Sequence, residues 1–187
     1  LAFIDDDPVP EASSSLAPLG PPFEGAVFEF SPVRDAIVAT LGGRLARYGG
    51  AALLIDYGHL HPGYGDTLQA LRDHRFASVL ESVGEADITS HVDFARLMAM
   101  ARKASAAFAA AATQGQFLLS LGLLERAGIL GRHSGPAERD QLTAAVRRLA
   151  GTTPGEMGEL FKVAAISSQR LALPPFVFAA NQTGPVD

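Results

Sequence analysis

An unbroken apolar run, Ala51 to Ile55, is the strongest constraint on how this chain can fold. It follows the glycine pair Gly49-Gly50 and ends at Asp56. Apolar residues without polar alternation are typical of a strand that is buried on both faces, as in a parallel sheet. Because parallel strands are joined by long crossovers that are usually helical, this run predicts an α/β fold.

Helix starts are predicted on both sides of this run from capping residues. At the first start, Ser31 can cap the helix with its hydroxyl, and Pro32 stands at the first helical position, where proline is common. At the second start, a serine is followed three residues later by Asp93, which resembles a capping box with Asp in place of Glu. Apolar residues at spacings of three and four follow each start. The predicted starts are Ser31, Ser90, Thr113 and Pro136.

Further strands are predicted between these helices. Residues 25–30 and 160–166 have the pattern of short strands, and Ala106–Ala112 fits either a strand or a helix. Strands that alternate with helices indicate an α/β layered fold with a mostly parallel sheet. The polar segment from His59 to Ser90 is predicted to be a long loop, and a loop of this length is usually functional or a lid.

Composition excludes several classes of protein. The 187 residues include no cysteine, which excludes disulfides, thiolate metal ligands and a cysteine nucleophile. The net charge of −5 argues against binding nucleic acid through bulk charge. No stretch reaches the roughly 18 uncharged apolar residues of a membrane span. We therefore expect no nucleic-acid or membrane partner, and a cytoplasmic location, where cysteines are not needed for disulfides.

The ends of the chain predict its organisation. Residues 1–24 are rich in proline and serine and are predicted to form a linker. Residues 25–167 are predicted to form the folded domain, and residues 168–187 an irregular tail. The chain opens on Leu1, without the basic and apolar regions of a signal peptide, and we expect it to be part of a longer protein.

Candidate site residues follow the end of the apolar strand. In open α/β sheets, ligands bind outside the carboxyl ends of the strands, which is where Asp56, Tyr57 and His59 stand. The alternative is that Asp56 merely ends the strand. The loop residues Asp66, Thr67 and Asp87 fit either a substrate-contacting lid or ordinary turn chemistry.

Two other motifs carry no prediction of a site. His59 and His61 alternate on an extended segment and so share a face, but a metal site needs a third oriented ligand, and no metal is predicted. Gly63 and Gly65 lack the third glycine and the following helix of a dinucleotide fingerprint. The sequence therefore leaves the cofactor-binding residues unknown.

Five blocks of residues, in order along the chain, resemble the MidA-like family of class I methyltransferases, which use S-adenosylmethionine. The resemblance covers only the C-terminal half of that family's domain, and the glycine-rich motif of the cofactor-binding half is absent from this chain. The mitochondrial members are arginine methyltransferases that help to assemble respiratory complex I. The blocks are residues 50–59, 65–70, 86–94, 113–118 and 157–163.

The resemblance implies a partial Rossmann-like fold. Residues 51–56 would be the fifth strand of a seven-stranded sheet, 106–112 the sixth, and 160–166 the seventh. The seventh strand is antiparallel in that fold and lies beside the sixth. Residues 59–90 would be a long insertion on the substrate side, after the fifth strand.

The resemblance also implies an activity for the parent protein, with S-adenosylmethionine as the cofactor and an arginine of a protein as the substrate. A guanidinium is protonated at neutral pH, so carboxylates must orient the acceptor nitrogen and receive its proton. Asp56 and Asp66 are the predicted catalytic carboxylates. The predicted substrate-binding residues are Tyr57, His59, Thr67 and Asp87.

Two other interpretations remain open from the sequence. The chain fits a non-catalytic assembly module that lacks the cofactor site, or, on His59 and His61, a metal-dependent hydrolase. For the methyltransferase, we expect this part alone to be inactive and to need the N-terminal half of the same domain. An uncovered strand edge and apolar face would also favour association of identical chains, as a homo-oligomer.

Overall fold

The computed structural model describes residues 19–81, 84–106, 108–169 and Phe176. Within them, four strands form one sheet in the order β5-β1-β7-β6, and three form a second sheet in the order β3-β2-β4. The strands are β1 (Ala51–His59), β2 (Gln69–Arg72), β3 (Arg75–Ala77), β4 (Asp87–Thr89), β5 (Val92–Asp93), β6 (Phe108–Thr113) and β7 (Phe161–Ser167). The helices are α1 (Pro32–Tyr48), α2 (Phe94–Lys103), α3 (Gln114–Ser120), α4 (Leu123–Gly131), α5 (Pro136–Ala150) and α6 (Met157–Leu160).

Strand β1 contains the apolar run and extends beyond it to His59. It pairs antiparallel with β7 along residues 51–57 and parallel with β5 at Gly58 and His59. A Cβ atom built on Gly58 would lie 2.0 Å from the carbonyl oxygen of Val92. Strand β5 can therefore approach β1 only because residue 58 is glycine.

Within the described residues, only one face of β1 is covered. Ala52 and Leu54 pack against the core formed with α1 and α2. On the opposite face, the side chains of Leu53 and Ile55 are 50% and 51% exposed. The prediction of burial on both faces is wrong for this structure, because α1 and α2 pack on the same side of β1.

Strand β7 is the most deeply buried strand. It lies between β1 and β6 and is antiparallel to both. Val163, Ala164 and Ile166 are each fully buried. The mixed α/β class is confirmed, whereas the expectation of a mostly parallel sheet is wrong for the described strands, because β7 inserts in the opposite direction.

Capping residues begin the helices close to the predicted positions. The Ser31 hydroxyl accepts a hydrogen bond from the Arg34 N–H, and Thr113 forms a reciprocal capping box with Gln116. The predicted start at Ser90 is wrong. The carboxylate of Asp93 accepts the Arg96 N–H at 2.9 Å and begins α2 three residues later, because Asp is itself a strong N-cap.

Residues 25–30 were predicted to form a strand, and this is wrong, since no strand is present there. The segment makes a single backbone hydrogen bond to the loop after β1, from the Gly65 N–H to the Val27 carbonyl at 2.9 Å. The loop after β1 presents no strand there, so this bond is not continued into a ladder of strand hydrogen bonds. The loop from His59 to Ser90 also differs from its prediction, because it contains the three strands of the smaller sheet.

The predicted linker and tail fall largely outside the described residues. Residues 1–18 of the linker and most of residues 168–187 are not described. The helices and strands given above all lie within 25–167. The division into linker, domain and tail stays a prediction.

Candidate functional site

The carboxyl end of β1 opens into a cavity of about 210 Å³, which we call the β1-end cavity. Three segments meet there: the stretch before α1, the loop after β1, and the turn that begins α2. Its lining residues are Phe28, Glu29, His59, His61, Gly63, Tyr64, Gly65 and Asp93.

Thr67 connects the segments around this cavity. Its backbone N–H donates to Glu29 Oε1 at 2.8 Å, and its hydroxyl donates to Glu29 Oε2. The same hydroxyl oxygen accepts the N–H of His91 at 2.8 Å. These bonds hold the carboxylate of Glu29 in one orientation at the cavity wall.

Asp93 forms the opposite wall with His59. Asp93 is only 8% exposed, and its Oδ1 accepts the Arg96 N–H, as described for the cap of α2. The Nδ1 atom of His59 lies 4.0 Å from the same Oδ1 and 2.7 Å from the carbonyl oxygen of His61. Because a carbonyl only accepts, Nδ1 of His59 carries the proton, and Nε2 is the acceptor when the ring is neutral.

A cluster of rings lies beside the end of β1, where Tyr57 is two residues before His59. The ring of Tyr57 lies edge-on to His91, with centroids 5.7 Å apart, and to Phe161, with centroids 5.6 Å apart. Burial lowers the pKa of His91 below its ordinary value of 6.5; Glu29 opposes this shift, whereas His59 and Lys162 add to it. His91 is therefore neutral at neutral pH.

The predicted substrate-binding residues come together in part. His59 lines the cavity, Thr67 holds its Glu29 wall, and Tyr57 contacts His91, which Thr67 also binds. Asp87 lies instead on β4, opposite Leu71 of β2 in the smaller sheet. Its predicted role in binding substrate stays a prediction.

The two predicted catalytic carboxylates occupy different places. Asp66 is exposed and stands between Gly65, which lines the cavity, and Thr67. Asp56 is exposed on β1, opposite Lys162 of β7, and its Oδ1 accepts the N–H of Tyr57 at 2.9 Å. Asp66 is thus the chain neighbour of a lining residue, and Asp56 lies on β1 three residues before the lining residue His59.

Sequence reasoning missed Glu29 and Asp93 as residues of one cavity. Glu29 lies in the segment misread as a strand, and Asp93 was interpreted as a helix cap, which it also is. The available signal was the pair Gly63 and Gly65, whose lack of side chains leaves room at the cavity wall.

Lys162 is another residue that the sequence analysis did not identify as a candidate. It is only 8% exposed, and its Nζ donates to the carbonyls of Glu159 and Leu160 at the end of α6. Burial lowers the pKa of Lys162, and Glu159 opposes that shift. Lys162 thus joins the start of β7 to the turn before it.

The described residues offer neither a metal site nor a helix that could span a membrane. Within residues 19–81, 84–106 and 108–169, no three His, Asp or Glu side chains are arranged to hold a metal ion. In the same part of the chain, each helix is too short or too polar to traverse a bilayer.

The β1-end cavity does not fit S-adenosylmethionine. Sites for small molecules and cofactors have volumes of about 300 to 1,000 Å³, whereas this cavity has about 210 Å³. It is large enough for one extended side chain. No contact of the cofactor is therefore assigned to the lining residues.

Comparison with known proteins gives a family match. Residues 2–112 match a family model described as "Putative S-adenosyl-L-methionine-dependent methyltransferase". The match includes β1, the smaller sheet, the β1-end cavity and β6 up to Ala112.

Curated relatives are named as mitochondrial enzymes. The chain is 33% identical to the human protein arginine methyltransferase NDUFAF7, over 98% of this chain and 43% of that protein. It is 36% identical to the zebrafish (Danio rerio) protein of the same name, over 73% of this chain and 32% of that protein. The chain thus spans less than half the length of these relatives.

Solved structures share the fold. A crystal structure from Burkholderia thailandensis, bound to S-adenosyl-homocysteine, matches with a TM-score of 0.72 and 31% identity. The alignment covers 92% of this chain and 45% of that one. A native structure from the same organism matches with a TM-score of 0.71 and 30% identity, over 87% of this chain and 44% of that one.

Proposed function

This chain belongs to the family of S-adenosyl-L-methionine-dependent methyltransferases, and from that premise we propose that the whole protein methylates arginine in a protein substrate. This chain forms the acceptor side of its site. The observation that carries the proposal is the 33% identity, over 98% of this chain, to a relative named as a protein arginine methyltransferase. The donor is S-adenosylmethionine, in agreement with the S-adenosyl-homocysteine bound to a structural neighbour.

The finer fold that we propose is the last part of a seven-stranded Rossmann-like sheet. Strands β1, β6 and β7 are its fifth, sixth and seventh strands, and residues 59–90 are the insertion after the fifth. The support is the observed order β1-β7-β6, with β7 antiparallel between two strands that run in the same direction.

The uncovered face of β1 is where the N-terminal half of the domain packs in this proposal. Leu53 and Ile55 stand half exposed on that face, and burying the exposed half of each side chain would stabilise by about 0.8–1.5 kcal/mol. The N-terminal half also supplies the cofactor site. The chain alone is then inactive, and an isolated copy associates with another copy.

The carboxylates at this end of the sheet position the acceptor. Asp56 and Asp66 are exposed and free to meet a protein substrate, and they orient the guanidinium and receive the proton that the nitrogen loses. Tyr57, His59, Thr67 and Asp87 complete the substrate side, with Thr67 acting through Glu29. Methyl transfer from S-adenosylmethionine to a nitrogen is an in-line displacement, and positioning of the acceptor supplies much of its rate.

The partner and location follow from the resemblance and the composition. The proposed partner is a protein substrate, and the resemblance links the mitochondrial members to the assembly of respiratory complex I. The proposed location of this chain is the cytoplasm of a bacterium, and the relatives are named mitochondrial proteins.

The test is methyl transfer by the protein at its full natural length. With S-adenosylmethionine labelled on the methyl group and a cell extract as substrate, label is expected in methylarginine after hydrolysis of the product. Asp56→Asn is expected to lower kcat by about 100-fold if Asp56 receives the proton. Asp140→Asn on α5 removes the same charge from an exposed position and is the matched control.

The result also decides between an enzyme and a non-catalytic assembly module. A full-length protein that binds labelled S-adenosylmethionine but transfers no label to protein overturns the proposed function. A module without a cofactor site would bind no S-adenosylmethionine at all.

A further inference from the structure

We infer that the β1-end cavity binds the cationic side chain of the methyl acceptor, with Glu29 and Asp93 as its carboxylate partners. The inference rests on the proposed function, and it assigns the recognition of the acceptor to two residues outside the predicted set. The ligand class is a planar cation on an aliphatic stem, which in a protein is an arginine side chain.

The charge of the cavity favours a cation. Its described lining holds the carboxylates of Glu29 and Asp93 and includes no lysine or arginine. The nearby Arg96 is turned to other groups: its Nε donates to Asp35 Oδ2 at 2.5 Å, and its guanidinium lies 4.5 Å from the ring of Phe30. A concave site lined by one sign of charge attracts the opposite charge.

The carboxylates are already oriented and still have acceptor capacity. Each carboxylate oxygen can accept about two hydrogen bonds. The described bonds from Thr67 use one position on each oxygen of Glu29, and the cap of α2 uses one position on Oδ1 of Asp93. Because these bonds fix the carboxylates before a ligand arrives, less conformational freedom is lost on binding.

An aromatic wall suits the flat face of a guanidinium. The rings of Phe28 and Tyr64 meet at 72° with centroids 6.5 Å apart, and both line the cavity. The hydroxyl of Tyr64 donates to the Gly20 carbonyl at 2.9 Å, which holds the ring in place. A guanidinium stacks on aromatic faces and forks onto carboxylates, whereas an ammonium is a compact point charge, so arginine fits better than lysine.

Size excludes larger ligands. The volume of about 210 Å³ is several times the roughly 30 Å³ share of one water, and it lies below the range of cofactor pockets. Asp66 is exposed and follows Gly65, which lines the cavity, so in this proposal it can contact the rest of the acceptor.

The test measures binding of acetyl-arginine-amide and its neutral isostere acetyl-citrulline-amide to the full-length protein by NMR titration. The wild-type protein is expected to bind the arginine probe at least about ten-fold more tightly, since hydrogen bonds to charged groups contribute that much. Glu29→Gln and Asp93→Asn are each expected to weaken binding of the arginine probe about ten-fold and to leave citrulline binding unchanged. Asp140→Asn is the control for a lost charge elsewhere.

Folding and function are separated in the same design. Asn is as good an N-cap as Asp, so Asp93→Asn keeps α2, and the thermal transition of each variant checks this. Equal binding of the two probes to the wild-type protein overturns the inference without any variant.

The inference and the proposed function can also fail independently. Methyl transfer to arginine with an unchanged KM in both Glu29→Gln and Asp93→Asn overturns the inference while the proposed function stands. Charge-dependent binding of the arginine probe by a protein that never methylates arginine supports the cation-binding role of the cavity and overturns the proposed function.

Discussion

At the scale of single residues, Thr67 does most to build the candidate site. One hydroxyl donates to Glu29 and accepts from the backbone of His91, so a side chain predicted to bind substrate is occupied by the protein itself. Its function is to position Glu29. Residue type and spacing alone do not distinguish these roles, because both need a hydroxyl in the same loop.

Replacing Thr67 is expected to destabilise the fold. Thr67→Val keeps the shape of the side chain but leaves Glu29 Oε2 and the His91 N–H without that partner. We expect a loss of about 1–3 kcal/mol in the free energy of unfolding, measured with urea. Thr40→Val on the exposed face of α1 is the control and should change it by less than about 0.5 kcal/mol. Equal effects of the two substitutions would refute this role of Thr67.

The partly buried imidazole of His91 predicts a dependence of stability on pH. Burial lowers the pKa of folded His91 below 6.5, so just below 6.5 the unfolded chain binds a proton that the folded chain does not. Stability therefore rises with pH through that window and falls as the pH drops below 6.5. The unfolding free energy of His91→Gln, measured over the same pH range, should show a shallower slope. An unchanged slope would contradict the prediction.

At the scale of elements, the close approach of strands and helices depends on glycine. Gly58 admits β5, and Gly158 admits the end of α5, since a Cβ there would lie 2.4 Å from the carbonyl oxygen of Ala150. Both glycines belong to blocks that carry the resemblance. The blocks therefore contain residues that allow close packing of the backbone as well as candidate site residues.

Adding one methyl group at Gly58 tests this packing. Gly58→Ala places a Cβ against the Val92 backbone, and we expect a loss of about 1–3 kcal/mol in unfolding free energy as β5 is displaced. Gly43→Ala in α1 meets no atom within 4 Å, so it should stabilise by about 0.5–1 kcal/mol. Urea denaturation measures both. An unchanged free energy of unfolding in Gly58→Ala would contradict this prediction.

At the scale of the whole molecule, the sheet is covered unevenly. One face of β1 packs on α1 and α2, whereas Leu53 and Ile55 on the other face are half exposed. The chain also spans 43% of the human relative. Together these observations support a second layer of protein on the open face.

The open face predicts how these 187 residues behave in isolation. We expect the isolated chain to self-associate, because the half-exposed apolar side chains of Leu53 and Ile55 on the sheet favour contact with another copy. The double substitution Leu53→Thr and Ile55→Thr should lower the apparent mass in sedimentation experiments and keep the strand, since Thr suits strands. A monodisperse monomer of the unsubstituted chain would refute the expectation.

The local structure follows largely from the sequence. The apolar run after Gly49-Gly50 predicts β1. The capping residues Ser31 and Thr113, and the proline Pro136 at the first helical position, predict three helix starts, because these signals act within one or two turns of chain. Asp56, Tyr57 and His59 are correctly placed at the carboxyl end of a strand. Their catalytic and binding roles stay predictions.

The tertiary structure decided what lies together across the chain. The cavity joins Glu29, His59 and Asp93, which are far apart in sequence. Glu29 lies in a segment with the pattern of a strand, and no local pattern indicates that its carboxylate binds Thr67. It also decided that β1 is covered on one face only. The physical reason is that capping and periodicity depend on neighbours along the chain, whereas burial and the pairing of a carboxylate depend on which distant segments pack against it.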